Sequence, residues 1–175
     1  HRLEGAGHRF LSETDTEVIA HLIEENIYDS SLEEAVREIL PELKGTYGLA
    51  VISPLHPKKI VLARLGSPVI VGVMPNNEYI VASDITAIAP YTREVVYIND
   101  GELVVLDEWG IKILHSNHTE RAVEISKITW DQTSAEKGNF PHFMLKEIFE
   151  IPEALENGFR GRLNDNEGLV KFGGL

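Results

Sequence analysis

Cysteine is absent from all 175 residues, which excludes a disulfide scaffold, a thiolate metal centre and any cysteine nucleophile supplied by this chain. Positive charge is scarce: 16 basic against 28 acidic side chains leave a net charge of −12. A surface poor in clustered cations suits neither non-specific nucleic-acid binding nor an anionic membrane, and neither partner is expected. No apolar run approaches the roughly 18 residues that read as a membrane span. The opening HRLEGAGHRF has neither the apolar stretch nor the small-residue cleavage site of a secretory signal. A cytoplasmic protein is therefore expected. Internal repeats and low-complexity runs are also missing.

What remains is ordinary for a globular chain: 43% hydrophobic residues, 14 glycines and 8 prolines. The length suits one domain, or one domain and a tail, and suffices for a real core. HRLEGAG has the look of a helix end, an apolar Leu3 among polar residues with Gly5 and Gly7 behind it. A helix end with no helix before it leads us to expect an N-terminally truncated piece. Residues 8–11 then read as a short strand.

Residues 12–28 carry the clearest helical signal. Ser12 and Thr14 are each followed three residues later by an acid, Asp15 or Glu17, and Val18, Ile19, Leu22, Ile23 and Ile27 recur at helical spacing. A second helix follows Asp29-Ser30-Ser31, with Leu32, Ala35, Val36, Ile39 and Leu40 as its apolar stripe and Pro41 near its end. From Thr46 the period changes to about seven β-rich runs, separated by His56-Pro57-Lys58, Gly66-Ser67, Pro75-Asn76-Asn77, Asn99-Asp100-Gly101 and Glu108-Trp109-Gly110. Asp100-Gly101 reads as a hairpin turn, and residues 84–88 as one helical turn ahead of Pro90. Helices followed by hairpin-joined strands predict an α+β fold with antiparallel sheets. Residues 129–142 read as a linker, 143–159 as a helix with the stripe Phe143, Ile148, Ile151 and Leu155, and the rest as a polar, glycine-rich end. Pro152 is expected to kink that helix or to start a new one.

Sites are sparse. The chain has no phosphate-binding loop, no dinucleotide fingerprint after a strand, no H-x-x-x-H and no G-x-S-x-G. His115 and His118 have no carboxylate cluster beside them, and His21 reads as a solvent-facing or packing histidine; neither a metal nor a cofactor is expected. Two acids stand open between two roles. Asp15, at a helix start, would either stabilise the helix N-terminus or hold the ammonium group of an amino-acid ligand; Asp84, after Ser83, has the same ambiguity.

SETDTEVIAHLIEE at 12–25 resembles a segment of the glutamine–fructose-6-phosphate aminotransferase family, the glucosamine-6-phosphate synthases. The likeness continues in order through LKGTYGLAVIS at 43–53, ARLGSPVIVGV at 63–73, YIVASDITAI at 79–88 and KGNFPHFMLKEIFEIPEAL at 137–155. It departs from the family pattern at Ile151, where Gln is usual, and at Phe140, where Tyr is usual.

The resemblance implies an αββα sandwich of the N-terminal-nucleophile type. Residues 1–130 would be the C-terminal portion of a glutaminase domain, and 131–175 an interdomain linker and the start of a sugar-isomerase domain. It implies a parent enzyme that takes fructose 6-phosphate and glutamine to glucosamine 6-phosphate and glutamate. The family's nucleophile is a terminal cysteine, so no catalytic residue is expected here and the isolated chain should be inactive. At Asp15 the resemblance implies the ligand role, binding the α-amino group of glutamine. The alternatives are another amidotransferase of the same nucleophile class or a non-catalytic regulatory module. A homo-oligomer is expected, since the truncation would bare apolar faces and strand edges.

Overall fold

The computed structural model describes residues 2–115, 119–128, 138–159, 163–164 and 169–170. The chain divides into two compact units, His1–Thr129 and Trp130–Leu175.

The first unit opens with the helical turn α1 (Arg2–Gly5) and two amphipathic helices, α2 (Thr16–Ile27) and α3 (Leu32–Ile39). Helix α3 starts where the sequence marks it. The Ser31 hydroxyl accepts from the Glu34 N–H at 3.4 Å, and the Glu34 carboxylate accepts from the Ser31 N–H at 3.1 Å, a complete capping box. Residues 8–11 form no strand. Instead Phe10 packs on the core beneath α2, and the Leu11 N–H is spent on a side chain of α2.

Seven longer strands follow: β1 (Tyr47–Ser53), β2 (His56–Leu65), β3 (Ile70–Met74), β4 (Glu78–Ala82), β5 (Glu94–Tyr97), β6 (Leu103–Asp107) and β7 (Gly110–Leu114). Two short ones, β8 (Glu120–Arg121) and β9 (Ser126–Lys127), complete the set described in this unit. They build two antiparallel sheets, β1-β2-β6-β7-β8 and β4-β3-β5-β9. His56-Pro57-Lys58, read as a separator, is the start of β2, because the turn closes one step earlier with Ser53 opposite His56.

Asp100-Gly101 is not a hairpin. It carries the chain from β5 in one sheet to β6 in the other. Asp100 accepts from the Arg64 Nε–H at 2.8 Å and the Gly66 N–H at 3.0 Å, so the acid staples the crossover to the end of β2 rather than closing a two-residue turn. The hairpin signal marked a sharp turn and could not say which strands it joins.

The layers follow from side-chain alternation. On β2 and β6, Val61, Ala63, Leu103 and Val105 face the helices, while Leu62, Val104 and Leu106 face the other sheet against Val71, Val96 and Ile98. Both faces of these strands are covered, which is why their sequence reads as an unbroken apolar run rather than an alternating one. On the far face of the second sheet, the short helix α4 (Ile85–Ile88) sets Ile88 over Gly72, where an added Cβ would lie 2.5 Å from both Ile80 and Ile88. Helices, sheet, sheet and a short helix give the αββα order.

Where the chain passes from β5 to β6 lies a buried charge. Glu102, 1% exposed, accepts from Arg121 Nε–H at 2.7 Å and Nη2–H at 3.0 Å, and from the Asn99 backbone and amide N–H groups at 2.8 and 3.0 Å. Burial pushes its carboxyl pKa up, but Arg121 and Asn99 outweigh that and hold it below the usual range.

In the second unit a single helix, α5 (Phe143–Phe159), runs through Pro152, and no new helix starts there. The rings of Phe140 and Phe149 stack at 5.5 Å. Strands β10 (Leu163–Asn164) and β11 (Leu169–Val170) pair antiparallel. Of the expected linker, residues 129–137 lie outside the described residues, as does His118. No helix among the described residues is long and apolar enough to cross a membrane.

Candidate functional site

Asp15 and Asp84 both precede helices, and the structure separates them. Asp84 has extended backbone (φ −133°, ψ 137°) and accepts from the Thr86 N–H at 2.7 Å and the Thr86 hydroxyl at 2.6 Å. Those bonds draw its carboxyl below the usual range, and its lone pairs serve the cap of α4. Asp15 is already helical (φ −64°, ψ −26°) and makes no side-chain cap bond. Among the described residues its carboxylate reaches only the neighbouring Thr16 hydroxyl, at 3.5 Å.

The capping work at α2 falls to two other residues. Thr14 Oγ1 accepts from the Thr16 N–H at 3.3 Å. Glu17 reaches back further, accepting from the Leu11 N–H at 2.6 Å, the Ser12 N–H at 2.7 Å and the Ser12 hydroxyl. The Ser12 hydroxyl, followed by the Leu11 amide, holds the Glu17 carboxyl down to about 2. Sequence reasoning treated Glu17 as one of two interchangeable capping acids. Ser12-x-x-Asp15 and Thr14-x-x-Glu17 have the same spacing, so the sequence carries no signal that Glu17, reaching back to Leu11 and Ser12, is the one consumed by the turn.

The Asp15 carboxylate is thus exposed, ionisable and unspent, and it borders a cleft of about 630 Å³. Thr16 and Ile19 line the same cleft from α2, Lys44, Thr46 and Gly48 from the approach to β1 and its first residues, and Ser67 from the turn after β2. Three sequence segments far apart in the chain, around residues 12–25, 43–53 and 63–73, therefore meet at one opening. Glycines allow the approach. Gly66, at φ 72°, faces Thr46 so closely that an added Cβ would lie 2.6 Å from Thr46 Cγ2. Gly48 stands against Val69 in the same way, at 2.9 Å. Chemically the cleft offers the Asp15 carboxylate, a second carboxylate at Glu42 that pairs with Arg2 at 3.4 Å, the Lys44 ammonium and several hydroxyl groups, a mixed set suited to a zwitterionic ligand; it holds no thiol.

A second cluster lies further along α2. His8 Nδ1, His21 Nδ1 and Glu24 Oε2 lie within 4.8 Å of one another, a grouping able to hold a metal ion. Local metal-ligand spacing could not reveal it, because His8 comes from the segment before α2, thirteen positions from His21.

Residues 1–90 match the family described as glutamine amidotransferase domain. A glutamine–fructose-6-phosphate aminotransferase (isomerizing) of Thermus thermophilus is 46% identical over 171 residues, covering 98% of this chain and 28% of that protein. Its counterparts from Chlorobaculum tepidum and Thermotoga maritima are 40% and 42% identical, over 99% and 94% of this chain. The chain spans 27–28% of the length of these relatives. Among solved structures, the glutamine phosphoribosylpyrophosphate amidotransferase of B. subtilis, complexed with ADP and GMP, superposes with a TM-score of 0.56 at 25% identity, covering 68% of this chain and 26% of that one. The family model covers more than half of the chain, and the sandwich agrees with it: the chain belongs to the glutamine amidotransferase domain family.

Proposed function

We propose that this chain is part of the glutaminase unit of an enzyme that transfers the amide nitrogen of glutamine to fructose 6-phosphate, yielding glucosamine 6-phosphate and glutamate. In this reading residues 1–130 belong to the glutaminase domain, and 131–175 form the linker and the start of the sugar-isomerase domain. The names and identities of the relatives support glutamine as the donor and fructose 6-phosphate as the acceptor. A phosphorylated sugar is too polar to leave its compartment unaided, so in this reading the enzyme shares the compartment of its sugar substrate, which we take to be the cytoplasm.

Asp15 is assigned the α-ammonium group of glutamine. The observation that carries this is the carboxylate left unspent by its own helix while Thr14 and Glu17 take over the cap. A charge-assisted N–H···O⁻ bond there would fix one end of the substrate and leave the side-chain amide to be presented elsewhere. Amide cleavage needs an attacking group, and with no cysteine this chain does not supply the thiol. The residues here bind and orient.

The test is ammonia release from glutamine. The 175-residue chain alone should give background rates, and a longer protein containing it together with a thiol nucleophile should turn over. Robust turnover by the isolated chain would overturn the assignment of roles.

A further inference from the structure

We propose that His8, His21 and Glu24 form a binding site for one divalent transition-metal ion of the zinc class, independent of the glutamine cleft. Three ligand atoms converge: His8 Nδ1 and His21 Nδ1 are 3.0 Å apart, and Glu24 Oε2 lies 3.3 Å from the first and 3.5 Å from the second. Bonds of about 2.0–2.1 Å in tetrahedral geometry space ligand atoms about 3.3 Å apart, so this triangle has the dimensions of one face of such a site. Two imidazoles and one carboxylate, with a further position open, are a donor set suited to borderline-soft divalent ions.

The other ring nitrogens strengthen the assignment. His8 Nε2 faces Glu25 Oε1 at 3.7 Å, and His21 Nε2 faces Glu17 Oε1 at 3.5 Å. Each imidazole thus has a carboxylate behind the ring, the outer partner that metal-ligating histidines ordinarily have. The buried His21 Nε2 makes no hydrogen bond among the described residues, and the Glu17 carboxylate is the charged group beside it. At 3.0 Å the two Nδ1 atoms are bridged either by a shared proton or, as proposed, by a cation.

The rings are held in place before any ion arrives. The Phe10 and His21 rings meet edge to face with centroids 4.5 Å apart, and the His8 N–H donates to the Leu3 carbonyl at 3.0 Å. A cavity of about 540 Å³ lined by Arg9, Glu25 and the three ligands gives a path from solvent. Arg2 already neutralises one oxygen of Glu25, at 2.9 Å. A bound ion would tie the segment before α2 to that helix. Through His21 and Glu17 it would also brace the Leu11–Ser12 backbone that Glu17 holds.

The experiment is calorimetric titration of the intact chain with Zn²⁺ in a non-chelating buffer at neutral pH, with Co²⁺ absorption reporting coordination. One ion per chain should bind saturably, and the melting temperature should rise with free Zn²⁺. His8→Ala and Glu24→Gln should each abolish the saturable site, whereas His56→Ala should leave it intact. Glu25→Gln, acting behind His8, should weaken binding about 10–100-fold. Glu24 is half exposed, so its variant keeps the fold, and circular dichroism of the metal-free forms checks this. Absence of saturable binding to the wild type would mean that the two Nδ1 atoms share only a proton. That result, or unchanged binding in Glu24→Gln, would overturn the proposal.

Discussion

Replacing Asp15 by Asn in the full enzyme separates a ligand contact from a helix contact. A hydrogen bond to a charged partner contributes about 1.5–3 kcal/mol, and each 1.4 kcal/mol is tenfold in affinity. The glutamine requirement should therefore rise about 10–100-fold, while the requirement for fructose 6-phosphate stays within about twofold on the same scale. The folded state should barely respond, because Asp15 makes no cap bond and gives the helix end only a dipole interaction of about 0.3–1 kcal/mol. Over the first unit, His1–Thr129, an unfolding entropy of about 2.1 cal/mol/K per residue converts that to a loss of at most about 4 °C. Thr14→Ala is the contrasting variant. It removes the bond that does cap α2, costing about 0.5–2 kcal/mol or 2–7 °C. The assays are initial rates against each substrate and calorimetric melting. An equal rise in both substrate requirements for Asp15→Asn, or a melting loss matching Thr14→Ala with unchanged glutamine dependence, would refute the ligand role.

Three further outcomes follow from the packing. Glu102→Ala strands Arg121 and two Asn99 donors, and breaking such a pair costs about 3–5 kcal/mol, or 10–20 °C by calorimetry; a loss under about 1 kcal/mol would mean the pair behaves as an exposed one. Because the folded pKa of Glu102 is depressed, its contribution is complete above the ordinary 4.5 and is lost as the pH falls through the folded value, so the stability gap over Glu102→Gln should narrow below that pH. The free edge of β1, with Ile52 76% exposed, supports self-association of the isolated chain; sedimentation as a monomer at high concentration would count against it.

Much of the fold was legible because local chemistry and global packing agree. Ser31-x-x-Glu34 sets its own helix start, and the apolar runs of β2 and β6 announce strands covered on both faces. What was not legible is what depends on distant partners. The turn at Asp100-Gly101 is locally a hairpin signal, and only Arg64 and Gly66 show that it joins two sheets. Residues 8–11 have the composition of a strand, yet Glu17 consumes the Leu11 amide. The candidate site divides along the same line. Asp15 and Asp84 look alike in sequence, and only the backbone angles and hydrogen bonds show that one is spent and the other is not. Of the His8, His21 and Glu24 cluster only the His21-x-x-Glu24 pair has a local spacing; His8 joins it because the turn through Gly7, at φ 99°, brings it back onto α2.

The central claim is the nitrogen transfer itself. The most direct measurement supplies the full-length enzyme with glutamine and, in separate reactions, fructose 6-phosphate, phosphoribosylpyrophosphate or aspartate, and identifies the aminated product. Glucosamine 6-phosphate formed from fructose 6-phosphate, with glutamate released in equal amount and no product from the other two acceptors, is the expected result. Amination of either other acceptor, with fructose 6-phosphate untouched, would contradict the account.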